Sequence, residues 1–174
     1  MNKTIVIYGS AAPLPFRPLY NSGTCQSIAE KIASKLKVEA IDVQTLDAGV
    51  VDSYDNLIIG TSTWGAGELQ DDWYDGLKLL QGANLSGKTI AIFGCGDCES
   101  YGDTFVSAMG ELYNGLKGSG AAFIGRVPTA GYNFSDSEAV VDGEFVGLAL
   151  DDVNEEDKTD ERIDAWIESI KDKL

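Results

Sequence analysis

The chain has no histidine at all. That absence removes the commonest general base and a leading metal ligand, which weakens most hydrolase readings. Cysteine is scarce and odd in number, so Cys25, Cys95 and Cys98 cannot form a complete disulfide framework. Reduced thiols are the expectation, and the cytoplasm the expected compartment. Positive charge is also thin: 13 Lys and Arg stand against 28 Asp and Glu, for a formal net charge of -15. A field of that sign repels nucleic-acid phosphates and anionic membrane surfaces and suits basic protein partners. No stretch approaches the roughly 18 consecutive apolar residues that a membrane span requires. Met1-Asn2-Lys3 runs straight into a strand pattern rather than a signal-peptide core. Proline is rare as well, and three of the four, Pro13, Pro15 and Pro18, crowd into one short stretch.

What the chain does have is apolar residues, 44% over 174 positions, enough for the core of a single domain spanning residues 1–174. Lys3 to Tyr8, Val38 to Val43, Leu57 to Thr61, Thr89 to Gly94 and Ala121 to Ile124 are short apolar or β-branched runs that read as strands. Helical spacing lies between most of them: Ile28, Ile32 and Leu36; Trp73, Leu77 and Leu80; Phe105, Met109, Leu112 and Leu116. A last helix is predicted to begin near Thr159-Asp160-Glu161-Arg162, a cap followed by an acidic turn, and to bury Ile163, Trp166, Ile167 and Ile170. Alternating strands and helices give an α/β fold, a doubly wound five-stranded parallel sheet with helices on both faces. Ligands of such sheets sit at the carboxyl ends of the strands. Two loops lie there, Thr61-Ser62-Thr63-Trp64-Gly65-Ala66-Gly67 and Gly94-Cys95-Gly96-Asp97-Cys98-Glu99-Ser100-Tyr101. They deliver two aromatic rings, Trp64 and Tyr101, amid glycines and hydroxyls, a setting suited to a flat, hydrogen-bonding ligand such as an isoalloxazine.

Three ordered motifs carry a family resemblance: Thr63-Trp64-Gly65-Ala66-Gly67-Glu68-Leu69-Gln70, Phe93-Gly94-Cys95-Gly96-Asp97 and Phe145-Val146-Gly147-Leu148-Ala149-Leu150-Asp151. Through them the chain resembles the long-chain flavodoxins over essentially its whole length. The resemblance implies strand order 2-1-3-4-5, FMN as cofactor, and a low-potential one-electron carrier with no enzymatic substrate. Residues 128–145, including Ala130-Gly131-Tyr132-Asn133-Phe134, look like the loop that interrupts the fifth strand in that subgroup, with the strand resuming near Phe145 to Leu150. It further implies that Trp64 lies on the inner side of the flavin and Tyr101 on its outer face. Ser62, Thr63, Gly65, Ala66, Gly67, Cys95, Gly96 and Asp97 would line the ring, mainly through backbone groups. In relatives with glycine after the inner tryptophan, the peptide that follows rotates on reduction so that its carbonyl accepts from flavin N5–H. Gly65, lacking a Cβ, suits that rotation.

One segment departs from the family. Flavodoxins hold the FMN phosphate in a Ser/Thr-rich turn after the first strand, where backbone N–H groups and a helix N-terminus take the anion. Here the turn opens at Ser10 and closes with Ser22, Gly23, Thr24 and Cys25, but residues 11–21, Ala-Ala-Pro-Leu-Pro-Phe-Arg-Pro-Leu-Tyr-Asn, intervene. Three readings of this insertion stand together. It is a surface excursion that leaves the phosphate contacts in place, since closure cost grows slowly with loop length; or it deforms the turn and weakens FMN binding; or it is a displayed Pro-rich recognition element, natural or engineered.

Cys95-Gly96-Asp97-Cys98 has C-x-x-C spacing, yet a thioredoxin-type motif belongs at a helix start after the first strands, and a metal site needs two further ligands. Both thiols are therefore read as small loop residues. The functional expectation is a monomeric electron carrier between redox partner proteins with basic docking surfaces. Its acidity steers such partners and raises the energy of a reduced, anionic flavin: one carboxylate about 10 Å away at an effective dielectric of 20 contributes about 1.7 kcal/mol before screening. The rival readings are a flavodoxin-like NAD(P)H:quinone reductase, for which no second nucleotide motif is visible, and a scaffold with an altered phosphate loop and weakened FMN binding. A response-regulator receiver lacks its acidic cluster, since Gly9-Ser10 and Thr61-Ser62 stand where carboxylates would be needed.

Overall fold

The structure, a computed structural model, describes residues 2–9, 24–64 and 66–174. Its first strand, β1 (Thr4–Gly9), is followed by α1 (Thr24–Leu36), β2 (Glu39–Asp42), α2 (Ala48–Ser53) and β3 (Asn56–Trp64). Then come β4 (Glu68–Leu69), α3 (Asp72–Gly82), β5 (Thr89–Cys95), α4 (Ser107–Leu116) and β6 (Ala122–Ile124). The chain closes with three short strands, β7 (Val127–Pro128), β8 (Val140–Val141) and β9 (Glu144–Phe145), then β10 (Leu148–Leu150) and α5 (Glu156–Ile170). The central sheet runs β2-β1-β3-β5, and the fifth position beside β5 is shared by β6 and β10, all parallel. This is the expected doubly wound order 2-1-3-4-5.

Burial on both faces explains why the strands read as continuous apolar runs. Successive residues alternate between two cores: Ile5, Ile7, Leu57, Ile59, Ile90 and Ile92 face one side, and Val6, Ile58, Ala91 and Phe93 the other. The first layer is covered by Trp73 and Leu80 of α3 and by Met109, Leu112 and Leu116 of α4. The second is covered by Ile28 and Ile32 of α1 and by Ile163, Trp166 and Ile170 of α5. Among the described residues no helix is long and apolar enough to cross a membrane.

Three local expectations change, and one helix is added. Helix α5 starts at Glu156, and Thr159 is not its cap but a buried residue of its first turn whose hydroxyl donates to Asp152 Oδ1 at 3.0 Å. Phe105 precedes α4 rather than belonging to it, because Val106 adopts a left-handed φ of 47° that breaks the helical path. Phe145 is not in the resumed strand: it pairs with Val127 and Val140 in a small antiparallel sheet, and the strand resumes at Leu148. A short helix, α2, occupies residues 48–53, capped by Asp47 Oδ1 accepting from Val50 N at 2.8 Å.

Between β6 and β10 the chain makes its excursion through residues 125–147, held by aromatic packing. Tyr132 meets Phe145 edge-on with ring centroids 4.9 Å apart, Phe134 lies 5.2 Å from Phe145, and Phe105 lies 5.9 Å from Phe134. Tyr132 also donates to the Ala149 carbonyl at 2.9 Å, tying the excursion to β10.

Candidate functional site

Strand register places the carboxyl ends side by side. Gly9 pairs with Thr61, Thr61 with Gly94, and Gly94 with Ala149, so one row crosses the sheet just before the loops begin. Beyond it β3 continues through Ser62 and Thr63 to Trp64 and turns back as β4, with Thr63 opposite Leu69. The turn is closed by Gly67 N–H donating to the Trp64 carbonyl at 3.1 Å. Gly67 is required twice over: its φ is +99°, and a Cβ would stand 3.1 Å from Ser107 Cβ and 3.2 Å from Thr104 Cβ. Thr63 Oγ1 accepts from Ala108 N at 3.3 Å, fastening this loop to the start of α4.

The three tryptophans divide by environment. Trp73 is fully buried and donates to the Gly60 carbonyl at 2.8 Å, and Trp166 is buried against α1 and donates to the Gly125 carbonyl at 2.8 Å. Trp64, at the sheet edge, stays half-buried. Tyr101 is 52% exposed. Ordinary core aromatics do not behave so, and two under-buried rings on adjacent carboxyl ends are what a planar ligand would cover.

The second loop is internally wired. Asp97 Oδ1 accepts from Glu99 N at 3.1 Å and Ser100 N at 2.9 Å, its carbonyl accepts Tyr101 N at 3.0 Å, and the Tyr101 carbonyl accepts Thr104 N at 3.2 Å. Burial pushes the Asp97 carboxyl pKa up, but bonds from the Ser100 N–H and the Asn154 amide outweigh it and hold the group below the usual carboxylate range. Gly96 N–H donates to the Leu150 carbonyl at 3.0 Å, and a Cβ on Gly96 would lie 3.1 Å from Val106 N. The left-handed Val106 next to it is a genuine outlier for a β-branched residue.

The two loop cysteines do different things. Cys95 is buried in the α1/α5 core, and its hydrogen bond with the Cys25 thiol, together with burial, holds its pKa well above the usual thiol range. Cys98 is pushed up to about 12 by burial and by donating to the Asp151 carboxylate. Neither is a thiolate nucleophile near neutral pH. Because the Cys25 and Cys95 side chains belong to the core, these two positions offer an edge ligand only their backbone.

Of the residues expected around a phosphate, Thr24 and Cys25 open α1, whereas Ser10, Ser22 and Gly23, the inserted 11–21 segment, and Gly65 of the ring loop lie outside the described residues. Helix α1 has no acidic residue in its first turn, a feature it shares with α2 and α4, while α3 opens on Asp72 and Asp75 and α5 on Glu156 and Asp157. In so acidic a chain, an acid-free N-terminal turn beside the ring edge fits an anion. Ser62, Thr63 and Trp64 are half-buried on the same edge and Ala66 is exposed. The donor set is backbone, hydroxyl and aromatic surface, which fits an FMN ring and phosphate.

Residues outside the expected set support this edge. Asp151, fully buried after β10, accepts Cys98 N at 2.9 Å, and Asn154 Nδ2 bridges Asp151 Oδ2 and Asp97 Oδ1, each at 2.8 Å. Arg162 stands 4.0 Å over the Tyr132 ring and pairs with Glu155 at 2.6 Å, pinning the 125–147 excursion to α5. Asp151 was visible as an acid ending an apolar run, a pattern that demands buried partners.

The family model named Flavodoxin matches residues 21–166. Flavodoxin 1 of Azotobacter vinelandii is 44% identical over 181 aligned positions, which cover 100% of this chain and 98% of that protein. Flavodoxin 2 of Salmonella typhi is 43% identical over 158, covering 87% and 91%. Among solved structures, a Fusobacterium nucleatum flavodoxin bound to flavin mononucleotide superposes with a TM-score of 0.86 at 27% identity, covering 100% and 99% of the two chains.

Proposed function

The chain belongs to the flavodoxin family, and from that membership we propose that it binds FMN and carries single electrons between redox partner proteins, with no substrate of its own. The observation that carries the reading is the pair of under-buried rings, Trp64 and Tyr101, at neighbouring strand ends, whereas Trp73 and Trp166 on the covering helices are core residues. The Fusobacterium relative, described as bound to flavin mononucleotide, supports the choice of ligand. Bound FMN supplies reversible one-electron chemistry. The chain's own part is to stack the ring between Trp64 and Tyr101, exclude water from it, offer backbone groups around Thr63, Gly65, Gly96 and Asp97 to its polar edge, and take the phosphate between Ser10 and the start of α1.

The 125–147 excursion between two halves of one strand position supports placement in the long-chain subgroup. The charge of -15 supports partners with basic docking faces, and a monomeric cytoplasmic carrier is the form we assign. A second reading, weakened FMN binding through an altered phosphate loop, rests on the 11 residues, 11–21, that stand between Ser10 and Ser22. Titration with FMN, FAD and riboflavin, read by flavin fluorescence, tests both. Strong quenching by FMN that falls in Trp64→Ala and Tyr101→Ala supports the carrier. FMN held no more tightly than riboflavin favours the weakened loop, while tighter FAD binding, or NAD(P)H consumption with a quinone, overturns the reading.

A further inference from the structure

At the end of β10 an apolar strand passes directly into the buried carboxylate of Asp151. Four N–H groups converge on it: Oδ2 accepts Cys98 N at 2.9 Å and Asn154 Nδ2 at 2.8 Å, and Oδ1 accepts Val153 N at 3.1 Å and Asn154 N at 2.9 Å. The Asn154 amide also donates to Asp97 Oδ1 at 2.8 Å. Asp97 in turn orders Glu99, Ser100 and Tyr101. An unbroken chain of hydrogen bonds therefore runs from the sheet to the backbone of the exposed ring. Behind the loop lies a cavity of about 530 Å³ bordered by Cys98, Glu99, Phe134, Asn154 and Glu155. On that side the loop is held by the hydrogen bonds to Asp151 and Asn154, together with Cys98 packed against the core.

We propose that Asp151 and Asn154 are positioning residues that clamp the 96–101 loop at the height required for Tyr101 to stack on the flavin, an inference that rests on the FMN reading above. The residue types follow from the geometry. Two carboxylates that approach one another need a shared donor, and a primary amide places two N–H groups on one nitrogen. Aspartate at position 154 would add a third negative charge, and alanine would leave the Asp97 and Asp151 oxygens short of a donor. Charge-assisted bonds of this kind cost little once folding has made them, and they spare the ligand the cost of ordering the loop.

The test uses the full chain with Asn154→Ala and Asn154→Asp. Alanine removes both bridging bonds yet leaves Asp151 its backbone donors from Cys98, Val153 and residue 154. In the flavin-free protein, amide exchange at Glu99, Ser100 and Tyr101 should rise by about tenfold or more. FMN and riboflavin affinities should fall by one common factor, about tenfold, as expected for loss of the one charge-assisted bond of the bridge that reaches the loop, that to Asp97. The saturated complex should show residual flavin fluorescence, which a purely structural role would not produce. Asn154→Asp should lose more, and part of that loss should return on acidification, when the introduced carboxyl can donate. Unchanged loop exchange overturns the clamp. A lowered melting temperature with both affinities and the saturated spectrum unchanged also overturns it, as does a loss confined to FMN. If the unaltered chain binds neither flavin, the FMN reading and the clamp's purpose fall together, and the exchange result still decides whether the clamp exists.

Discussion

Replacing Gly147 by alanine should break the junction on which the site hangs. An ideal Cβ at this position falls 1.9 Å from the Ile92 carbonyl oxygen and 2.6 Å from its carbon. These are backbone atoms of the neighbouring β5 and cannot swing away, so β10 must retreat by more than an ångström to restore van der Waals separation. The adjoining pairs, Leu148 with Phe93 and Ala149 with Gly94, would be stretched beyond hydrogen-bonding range. Overpacking of about 1–3 kcal/mol and ladder bonds worth about 1 kcal/mol each give a loss of about 2–5 kcal/mol. For a chain of this size that corresponds to a fall in melting temperature of about 5–20 °C. Leu150 and Asp151, which hold Gly96 and Cys98, would move with the strand, so flavin affinity should fall as well. The control is Gly82→Ala at the end of α3, where a Cβ meets nothing within 4 Å and φ is not positive. It should be neutral or stabilising by up to about 1 kcal/mol. Thermal unfolding followed by far-UV circular dichroism measures both. A Gly147→Ala protein melting within about 2 °C of its parent would refute the steric reasoning, because the approach to Ile92 leaves no room for so small an effect.

Asp97, Asp151 and Glu155 all have carboxyl pKa values held below the ordinary range in the folded state, burial being outweighed by hydrogen bonds and, at Glu155, by Lys158 and Arg162. Their contribution to stability is therefore present above the ordinary carboxylate value near 4 and is lost as pH falls through the lowered values, so unfolding free energy should drop on acidification below about pH 4. Chemical denaturation across that range should show a shallower slope in Asp151→Asn, and an unchanged slope would contradict the assignment. Arg162→Ala removes the cation over Tyr132 and leaves Glu155 with Lys158 alone; it should cost about 1–3 kcal/mol and speed proteolysis within 125–147 while sparing the sheet. Replacing residues 11–21 by a short Thr-containing turn should tighten FMN binding and leave riboflavin nearly unaffected, whereas an equal response of both ligands would place the insertion's effect on the ring pocket.

The order of the elements was legible because it rests on local periodicity. Continuous apolar runs such as Leu57 to Thr61 announce strands covered on both faces, and Ile28 with Ile32 or Leu112 with Leu116 announce the helices that cover them. The carboxyl edge was legible too, since the loops that carry Trp64 and Tyr101 each follow such a run directly. Only the folded chain could decide what meets across long separations. Cys98 and Asp151 are 53 positions apart, and Tyr132 finds Ala149 only once the excursion has folded back. Likewise the point where the fifth strand rejoins depends on the ladder of β5, which pairs with Leu148, while Phe145 is paired with Val127 and Val140 and packed on Tyr132 and Phe134. Cys25 and Cys95 read as members of a ligand loop, yet their thiols lie in the core because the helix and strand that carry them face the same layer. Short-range pattern thus determined which elements form and where a ligand edge lies, and tertiary contact determined which side chains at that edge are free to face a ligand and which are committed to holding it in place.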